Sequence, residues 1–352
     1  MTQAISIEAY FDLNIPLIDV RTPLEYAQGH VPGAYNLPIF SNEERVQVGT
    51  TYKQQSREAA ILLGFDLAGP KWSGFIKEAL VLAPEKRIAV HCWRGGMRSG
   101  AMAWALGLYG FEVYTIAGGY KSYRRWALAQ FEKPWKLKVL GGLTGSGKTK
   151  ILYALLNLDE QMIDLEDLAQ HQGSAFGTMN KLTQRTQEQF ENNFAWALQK
   201  QEPARTIWVE DESLTIGRRV IPNAFWKNMR NANLIKLQVS DEVRVSTLVE
   251  EYGKLDPEFL IDCTTRVRKR LGPQQTDHAI VAINEGRMAD FIRLLLVYYD
   301  KTYQRGVQKR SPEKIFPVAC QGSIASMAQH LKTFAGTLPV QNHYNLQWKH
   351  LQ

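Results

Sequence analysis

Cysteine is scarce in this 352-residue chain: Cys92, Cys263 and Cys320 lie far apart, with no CxxC pair and no Cys/His ligand spacing. That excludes a disulfide framework and a zinc ribbon, and it fits a reducing compartment. Long apolar runs are missing too. The longest, around Ala101 to Leu108, suits a core helix and falls short of a bilayer span. The opening residues, MTQAISIEAYFDLN, have no basic stretch followed by an apolar one and do not read as a secretory signal. Neither an internal repeat nor a low-complexity tract is visible. These absences lead to the expectation of a soluble cytoplasmic protein with no membrane association.

What is present is enough to build on. The length suggests two or three domains, and an apolar share of 45% suffices for substantial cores. A net charge of +7 and an isoelectric point near 9.1 favour a polyanionic partner.

The stretch His91–Gly100, HCWRGGMRSG, follows the β-type run Arg87–Val90 and precedes the apolar helical run Ala101–Leu106. Cys92 is therefore expected at a strand-to-helix turn. Gly95 and Gly96 allow consecutive backbone N–H groups to point inward as an anion-binding nest, and Arg94, Arg98 and the helix N-terminus add positive potential. Such surroundings lower a thiol's pKa, making Cys92 a thiolate nucleophile, with Arg94 and Arg98 as its catalytic companions. A buried, inert cysteine is the plainer alternative.

Upstream, Ile15–Arg21 reads as a short buried strand. Thr22, Pro23 and Glu25 then fit a helix start with a capping box. The stretch DVRTPLEYAQGHVPGAYNLP resembles the N-terminal signature of rhodanese-type sulfurtransferase domains, with the cysteine loop following at a suitable distance. Within it, His30 reads as a hydrogen-bonded structural histidine more than as a base. Asn42–Lys53 is polar and reads as an insertion or lid, or as a solvated loop. Phe111–Ile116 is an alternating strand, and Ala117–Tyr120 turns into a helix carrying Lys121, Arg124 and Arg125. Strands alternating with helices imply a parallel α/β sheet with its ligand beyond the strands' carboxyl ends. The pattern HCxxxxxRS also resembles the loop of cysteine phosphatases, which usually need a general acid; none can be assigned here. The rhodanese signature favours chalcogen chemistry.

Phe131–Trp135 is the expected boundary, giving a first domain of residues 1–130 and a second of 131–352. The strand Leu137–Leu140 runs into GLTGSGKT, a complete GxxxxGK[ST] P-loop with strand before and helix after. Gly142, Gly145, Ser146, Gly147, Lys148 and Thr149 are its phosphate-binding residues: amides cradle a polyphosphate, Lys148 reaches the outer phosphates and Thr149 can ligate Mg²⁺. Phosphate binding is the firm inference; nucleotide hydrolysis is not. The strand Gln161–Glu166 continues into Asp167–Ser174, and in small P-loop kinases the corresponding segment holds the second substrate. Asp164, Glu166 and His171 are candidates, with exposed loop acids as the alternative. Thr183 to Lys200 reads as a polar helix with a packing stripe of Phe190, Phe194 and Leu198. Thr206–Ser213 is a strand closing on three acids and looks like a Walker B element, with Glu210 or Asp211 near a metal; Arg218 and Arg219 would add cations to the same mouth as substrate-binding residues. Asn233–Val239 supplies another strand.

The remainder reads as mostly helical. Arg266, Arg268, Lys269 and Arg270 cluster, and a helix from about Asn284 carries Tyr298, Tyr299, Tyr303, Lys301 and Arg305. Basic residues interleaved with aromatics fit RNA binding, and a solvated basic face reads equally well for any one of them. The stripe Phe291–Leu296 reads as core, with a prenyl pocket as the alternative. The fold class is thus α/β throughout: a rhodanese-like domain, then a P-loop NTPase-like parallel domain with a helical C-terminal part.

This pairing, together with CWRGGMRS, DLEDLAQHQGS and VEDES…IGRRVIP, resembles the bacterial tRNA 2-selenouridine synthases from about Ile15 to Tyr303. The resemblance implies an enzyme of the tRNA wobble uridine, replacing the sulfur of 2-thiouridine with selenium from selenophosphate. It also implies S-geranylation of that sulfur from geranyl diphosphate as an intermediate step. Cys92 would then carry or direct selenium, with Arg94, Arg98 and the loop amides on the anionic donor. The P-loop would bind the prenyl diphosphate, and Asp164, Glu166, Glu210 and Asp211 would hold Mg²⁺ against it. No tightly bound cofactor is expected. Two alternatives stay open: an ATP-dependent tRNA sulfurtransferase, and a nucleotide-switched RNA-binding protein with a degenerate rhodanese half.

Overall fold

The computed structural model describes residues 2–172, 176–177 and 183–339. The chain divides into two units, Met1–Gln130 with Glu191–Trp196, and Phe131–Phe190 with Ala197–Gln352.

In the first unit, β1 (Thr2–Ile5), β2 (Leu17–Asp19), β3 (Tyr35–Asn36), β4 (Arg87–His91) and β5 (Glu112–Ile116) form one sheet in the order β1-β5-β4-β2-β3. Every pairing is parallel, with Ile18 opposite Val90 and Asp19 opposite His91. Helices cover both faces, so Ile18, Ile88, Ala89, Val90 and Val113 are fully buried, as central parallel strands require. Met102, Leu106 and Phe75 complete this core. The chain leaves β2 toward β3 and leaves β4 toward β5, in opposite directions. The crevice between the ends of β2 and β4 is therefore the topological switch point, where ligands bind in such sheets.

Two departures from the sequence reading occur here. Thr2–Ile5 is an edge strand that its polar, exposed residues did not announce. Asn42–Gln54 is neither a loop nor a lid. It is a helix, started by a Ser41–Glu44 capping box and packed beside the helix Arg57–Ala68.

In the second unit, β6 (Leu137–Gly142), β7 (Gln161–Ile163), β8 (Ile207–Glu210), a small antiparallel hairpin of β9 (Thr215–Ile216) and β10 (Arg219–Val220), β11 (Asn233–Gln238) and β12 (Ile315–Ala319) follow in sequence. The main sheet has the order β12-β11-β6-β8-β7 and is parallel throughout. β6 leads on past β8 to β7, whereas β8 leads past β6 to β11. The switch point falls between β6 and β8. Leu140, Ile151, Leu152, Trp208 and Ile235 fill the core on one side. A separate helical core gathers Leu248, Tyr252, Leu260, Phe291, Ile292 and Leu295. The stripe from Phe291 is therefore packing.

The helix expected from Thr183 begins at Gln187 and runs to Gln199. Of the segment read as Asp167–Ser174, Gly173 and Ser174 lie outside the described residues.

Candidate active site

The Cys92 loop leaves the buried end of β4 and enters the helix Met97–Leu108. Its shape is set by glycine. Gly95 has φ +67° and Gly119 has φ +59°, and a Cβ on Gly119 would lie 2.4 Å from the Cys92 carbonyl oxygen. From the helix Gly119–Gln130, the amides of Tyr120 and Lys121 donate to the carbonyls of Cys92 and Trp93 at 2.8 and 3.0 Å. This second helix N-terminus thus holds the loop from behind.

Cys92 is 4% exposed. The Gly96 amide donates to its Sγ at 3.3 Å, and the Ser99 hydroxyl lies 3.3 Å away while also meeting the Gly96 carbonyl. Burial alone would raise the thiol pKa. Hydrogen bonds from the Ser99 hydroxyl and from the amides of Ser99, Gly96 and Arg94 outweigh it, and the thiol is held below its ordinary value. The nest expected from the sequence is present, supplied by backbone.

Arg98 forms a forked pair with Glu25, at 2.6 and 3.1 Å, while its charge still acts on Cys92. Arg94 contributes its amide to the nest, and its side chain is exposed. Beneath the loop, Arg21 and Asp19 form a fully buried pair with Nη2–Oδ2 at 2.6 Å; the guanidinium lies 3.7 Å from the Tyr120 ring centroid and also reaches the Gly29 carbonyl. The Thr22–Glu25 capping box is formed. His30 stacks on Tyr26 and bonds the Tyr26 carbonyl with Nδ1 at 2.9 Å, the structural role expected of it.

In the second unit the P-loop joins β6 to the helix Lys148–Leu156. Gly147 takes the left-handed conformation at φ +75°, and Gly145, at φ +82°, passes so near the Arg244 carbonyl that a Cβ would lie 2.8 Å from it. Lys148 Nζ donates to the Gly142 carbonyl at 3.2 Å, and the Thr149 hydroxyl donates to Glu210 at 2.6 Å. The loop opens on a cleft of about 1200 Å³ whose walls include Gly142, Gly145, Gly147, Lys148, Thr149, Asp164, Glu166, His171 and Glu210. These sequence candidates are brought together. Ser146 is buried, and its hydroxyl has no hydrogen-bond partner among the described residues.

Carboxylates crowd this cleft. Glu166, Glu210 and Glu212 place ligand oxygens within 4.8 Å of one another. Burial first, then repulsion from Glu212 and Glu210, pushes Glu166 up to about 9; burial and Glu210 push Glu212 up to about 7. Burial also raises Glu210, against the opposing pull of Lys148 and Thr149. Asp164 caps the helix Leu165–Ala169, accepts from the Tyr153 hydroxyl at 3.2 Å and is raised by burial. Three carboxylates beside a threonine hydroxyl form a hard oxygen donor set that fits Mg²⁺.

Asp211 sits in an ion-pair cluster: its carboxylate accepts from Arg310 at 2.6 Å and from the Tyr303 hydroxyl, and Arg230 lies 3.7 Å away. Glu212 instead joins Glu166 and Glu210 in the carboxylate cluster. Arg218 and Arg219, at the hairpin turn and on β10, are not among the described residues lining the cleft; the Arg218 amide is occupied by Gln184 at 2.8 Å. Lys150, Arg230, Lys254 and Lys309 supply its further cations. His171 does line the cleft, its Nδ1 without a partner among the described residues and its pKa lowered by burial. Tyr303 faces inward, its hydroxyl accepting the Gly142 amide at 2.9 Å, while Lys301 and Arg305 are exposed. Arg266, Arg268, Lys269 and Arg270 are exposed too, with Arg268 paired to Asp277 and Arg270 near the Tyr298 hydroxyl. Arg244, nearly fully buried, ties the P-loop to the helix Met288–Val307 through the Thr144 carbonyl and Asp300.

Comparison with known proteins identifies both halves of the chain. A family model described as the tRNA 2-selenouridine synthase AAA domain matches residues 135–336, and a rhodanese-like domain model matches residues 7–125. The tRNA 2-selenouridine synthase of Shewanella loihica is 34% identical, spanning 91% of this chain and 93% of that protein. That of Nitrosomonas europaea is 38% identical over 76% of this chain and 70% of its own length. That of Hydrogenovibrio crunogenus is 36% identical over 84% and 90% respectively. With an activated thiol on the first sheet, a phosphate loop on the second and these relatives along most of its length, the chain belongs to the tRNA 2-selenouridine synthase family.

Proposed function

We propose that the chain is a cytoplasmic tRNA-modifying enzyme that exchanges the sulfur of 2-thiouridine at the wobble position for selenium, by way of an S-geranyl intermediate. The observation that carries this reading is the Cys92 thiol, buried at a sheet switch point with loop amides and Ser99 on its sulfur, on the same chain as a phosphate-binding cleft.

The chemistry divides between the two sites. In the P-loop cleft, the base sulfur attacks C1 of geranyl diphosphate; the C–S bond forms, the C–O bond breaks, diphosphate departs with the electron pair, and N3 of the base releases its proton. Lys148 and the loop amides receive the diphosphate. Glu166, Glu210, Glu212 and Thr149 would hold Mg²⁺, which neutralises diphosphate charge when bound. Trp226, Leu248, Tyr252, Leu255 and Val307 line the same cleft and offer a hydrocarbon chain an apolar wall, which favours a prenyl donor over ATP. S-alkylation makes the sulfur a leaving group. Selenium of selenophosphate then bonds to C2, the geranyl thiol leaves with a proton, and hydrolysis of the Se–P bond releases phosphate. Cys92 directs this exchange, and its loop amides hold the anionic donor. The exposed cations Arg266, Lys269, Lys301 and Arg305 would meet tRNA phosphates.

The test is mass spectrometry of nucleosides from 2-thiouridine tRNA incubated with the protein, omitting selenophosphate, geranyl diphosphate or ATP in turn. Selenium incorporation that requires selenophosphate and geranyl diphosphate, and proceeds without ATP, supports the reading. Modification that requires ATP and ignores the prenyl donor would replace it with an ATP-dependent sulfurtransferase.

A further inference from the structure

A ladder of aromatic rings runs through the first unit. Trp93 meets Tyr120 at 5.7 Å between centroids, Tyr120 meets Tyr123 at 5.9 Å, and Tyr123 meets Trp126 at 5.5 Å. Phe11 extends it from Trp126 to Trp196, at 4.7 and 5.1 Å. Its interior rungs are closed to solvent: Tyr120 and Tyr123 are 0% exposed and Trp126 is 9%. Trp93 differs. It is the residue after Cys92, and it is 40% exposed.

Trp93 meets Tyr120 tilted by 43°, and part of its indole is left in water at the end of this buried ring series. Trp93 is also firmly mounted. Its carbonyl accepts the Lys121 amide at 3.0 Å, and the buried Arg21 guanidinium lies 5.7 Å from its ring, locked by Asp19. Arg94, next in the chain, and Met97, four positions on, are exposed as well, a cation and a soft apolar group. Cys92, by contrast, is recessed at 4% exposure. Trp93 is an exposed aromatic residue next in the chain to that recessed thiol. Unpaired nucleobases are recognised on such surfaces: each has a π-face, and an aromatic side chain beside a cation binds the base and its phosphate together.

We infer that Trp93 is the surface on which the reacting base stacks at Cys92, the base of an unpaired RNA nucleotide forming the next rung of the ladder while Arg94 meets its phosphate. The inference rests on the RNA substrate proposed above and names the residue that holds it at the thiol.

The test uses the full chain and an anticodon stem-loop RNA carrying 2-thiouridine at the wobble position. Cys92 is alkylated with iodoacetamide at increasing RNA concentrations, and protection of the thiol is followed by peptide mass spectrometry. This readout needs no turnover. In Trp93→Ala, half-protection should require about 5- to 150-fold more RNA, the range expected for loss of one base–aromatic stack. Trp93→Phe should stay near the wild type. The alkylation rate without RNA should be unchanged in Trp93→Phe, which reports an intact loop. Equal protection of wild type and Trp93→Ala, or no protection of the wild type by RNA, overturns the inference. Trp93-dependent protection in a protein that never incorporates selenium would leave the stacking surface standing and overturn the proposed reaction.

Discussion

Glu25 and Arg98, seventy-three residues apart, meet through a forked ion pair in which Glu25 Oε2 also accepts the Thr22 amide at 2.9 Å. One carboxylate thereby caps the signature helix Pro23–Gln28 and restrains the guanidinium at the Cys92 loop.

Glu25→Ala should therefore cost about 1–3 kcal/mol, since it leaves a largely buried cation unpaired and removes the half of the capping box that satisfies the Thr22 amide. Denaturant unfolding measures it. The pH dependence has a definite sign. Burial would raise the Glu25 carboxyl, but Arg98 and the Thr22 amide outweigh it and hold the group below the usual range. Its stabilisation is complete above the ordinary carboxylate pKa and is lost as pH falls through the lowered folded value. The wild-type advantage over Glu25→Ala should shrink in acid.

Ser99→Ala removes a hydrogen bond that favours the Cys92 thiolate. The midpoint of a pH profile of Cys92 alkylation by iodoacetamide should move up from the wild-type position, with little change in the rate at high pH, where both thiols are ionised. An unmoved midpoint would assign the activation to backbone amides alone.

If the proposed reaction holds, Lys148→Ala and Cys92→Ala should separate its two steps. Loss of Lys148 should slow S-geranylation by about 100-fold or more, as removal of a charge-stabilising donor does. Loss of Cys92 should stop selenium incorporation and leave S-geranylated tRNA to accumulate. Nucleoside mass spectrometry distinguishes the products.

The glutamate cluster makes a prediction about protons. Glu166 near 9 and Glu212 near 7 bind protons at neutral pH that the unfolded chain has released. Stability should accordingly fall as pH rises from the ordinary carboxylate range through those values. Mg²⁺ should reverse part of this loss and release protons on binding, read by calorimetry in buffers of different ionisation enthalpy. Glu212→Gln should diminish the proton release. Asp211→Asn should destabilise the chain through Arg310 while leaving the release in place.

What the sequence made legible was local. The P-loop and the cysteine loop declare themselves because spacing along a strand–turn–helix fixes their geometry. What it hid depends on partners remote in the chain. Asp211 and Glu212 look alike beside Glu210, and the difference lies in Arg310, ninety-nine residues from Asp211. The Arg98–Glu25 pair likewise joins residues seventy-three apart, and no local pattern announces it. Tyr303 looked like an RNA-stacking residue, yet its hydroxyl belongs to Gly142, 161 residues away. The helix Asn42–Gln54 did carry a local signal, the Ser41–Glu44 capping box, outweighed by a composition with too few apolar residues to suggest packing.

The nearness of Gly119 to the Cys92 carbonyl reaches beyond local sterics. The floor of the sulfur site is main chain resting on main chain, with Gly119 against the backbone of Cys92, Arg94 and Gly95. Any side chain at Gly119 would push against that backbone and shift the loop that carries the thiol, so adaptation of this site to new substrates is left to the side chains at its rim.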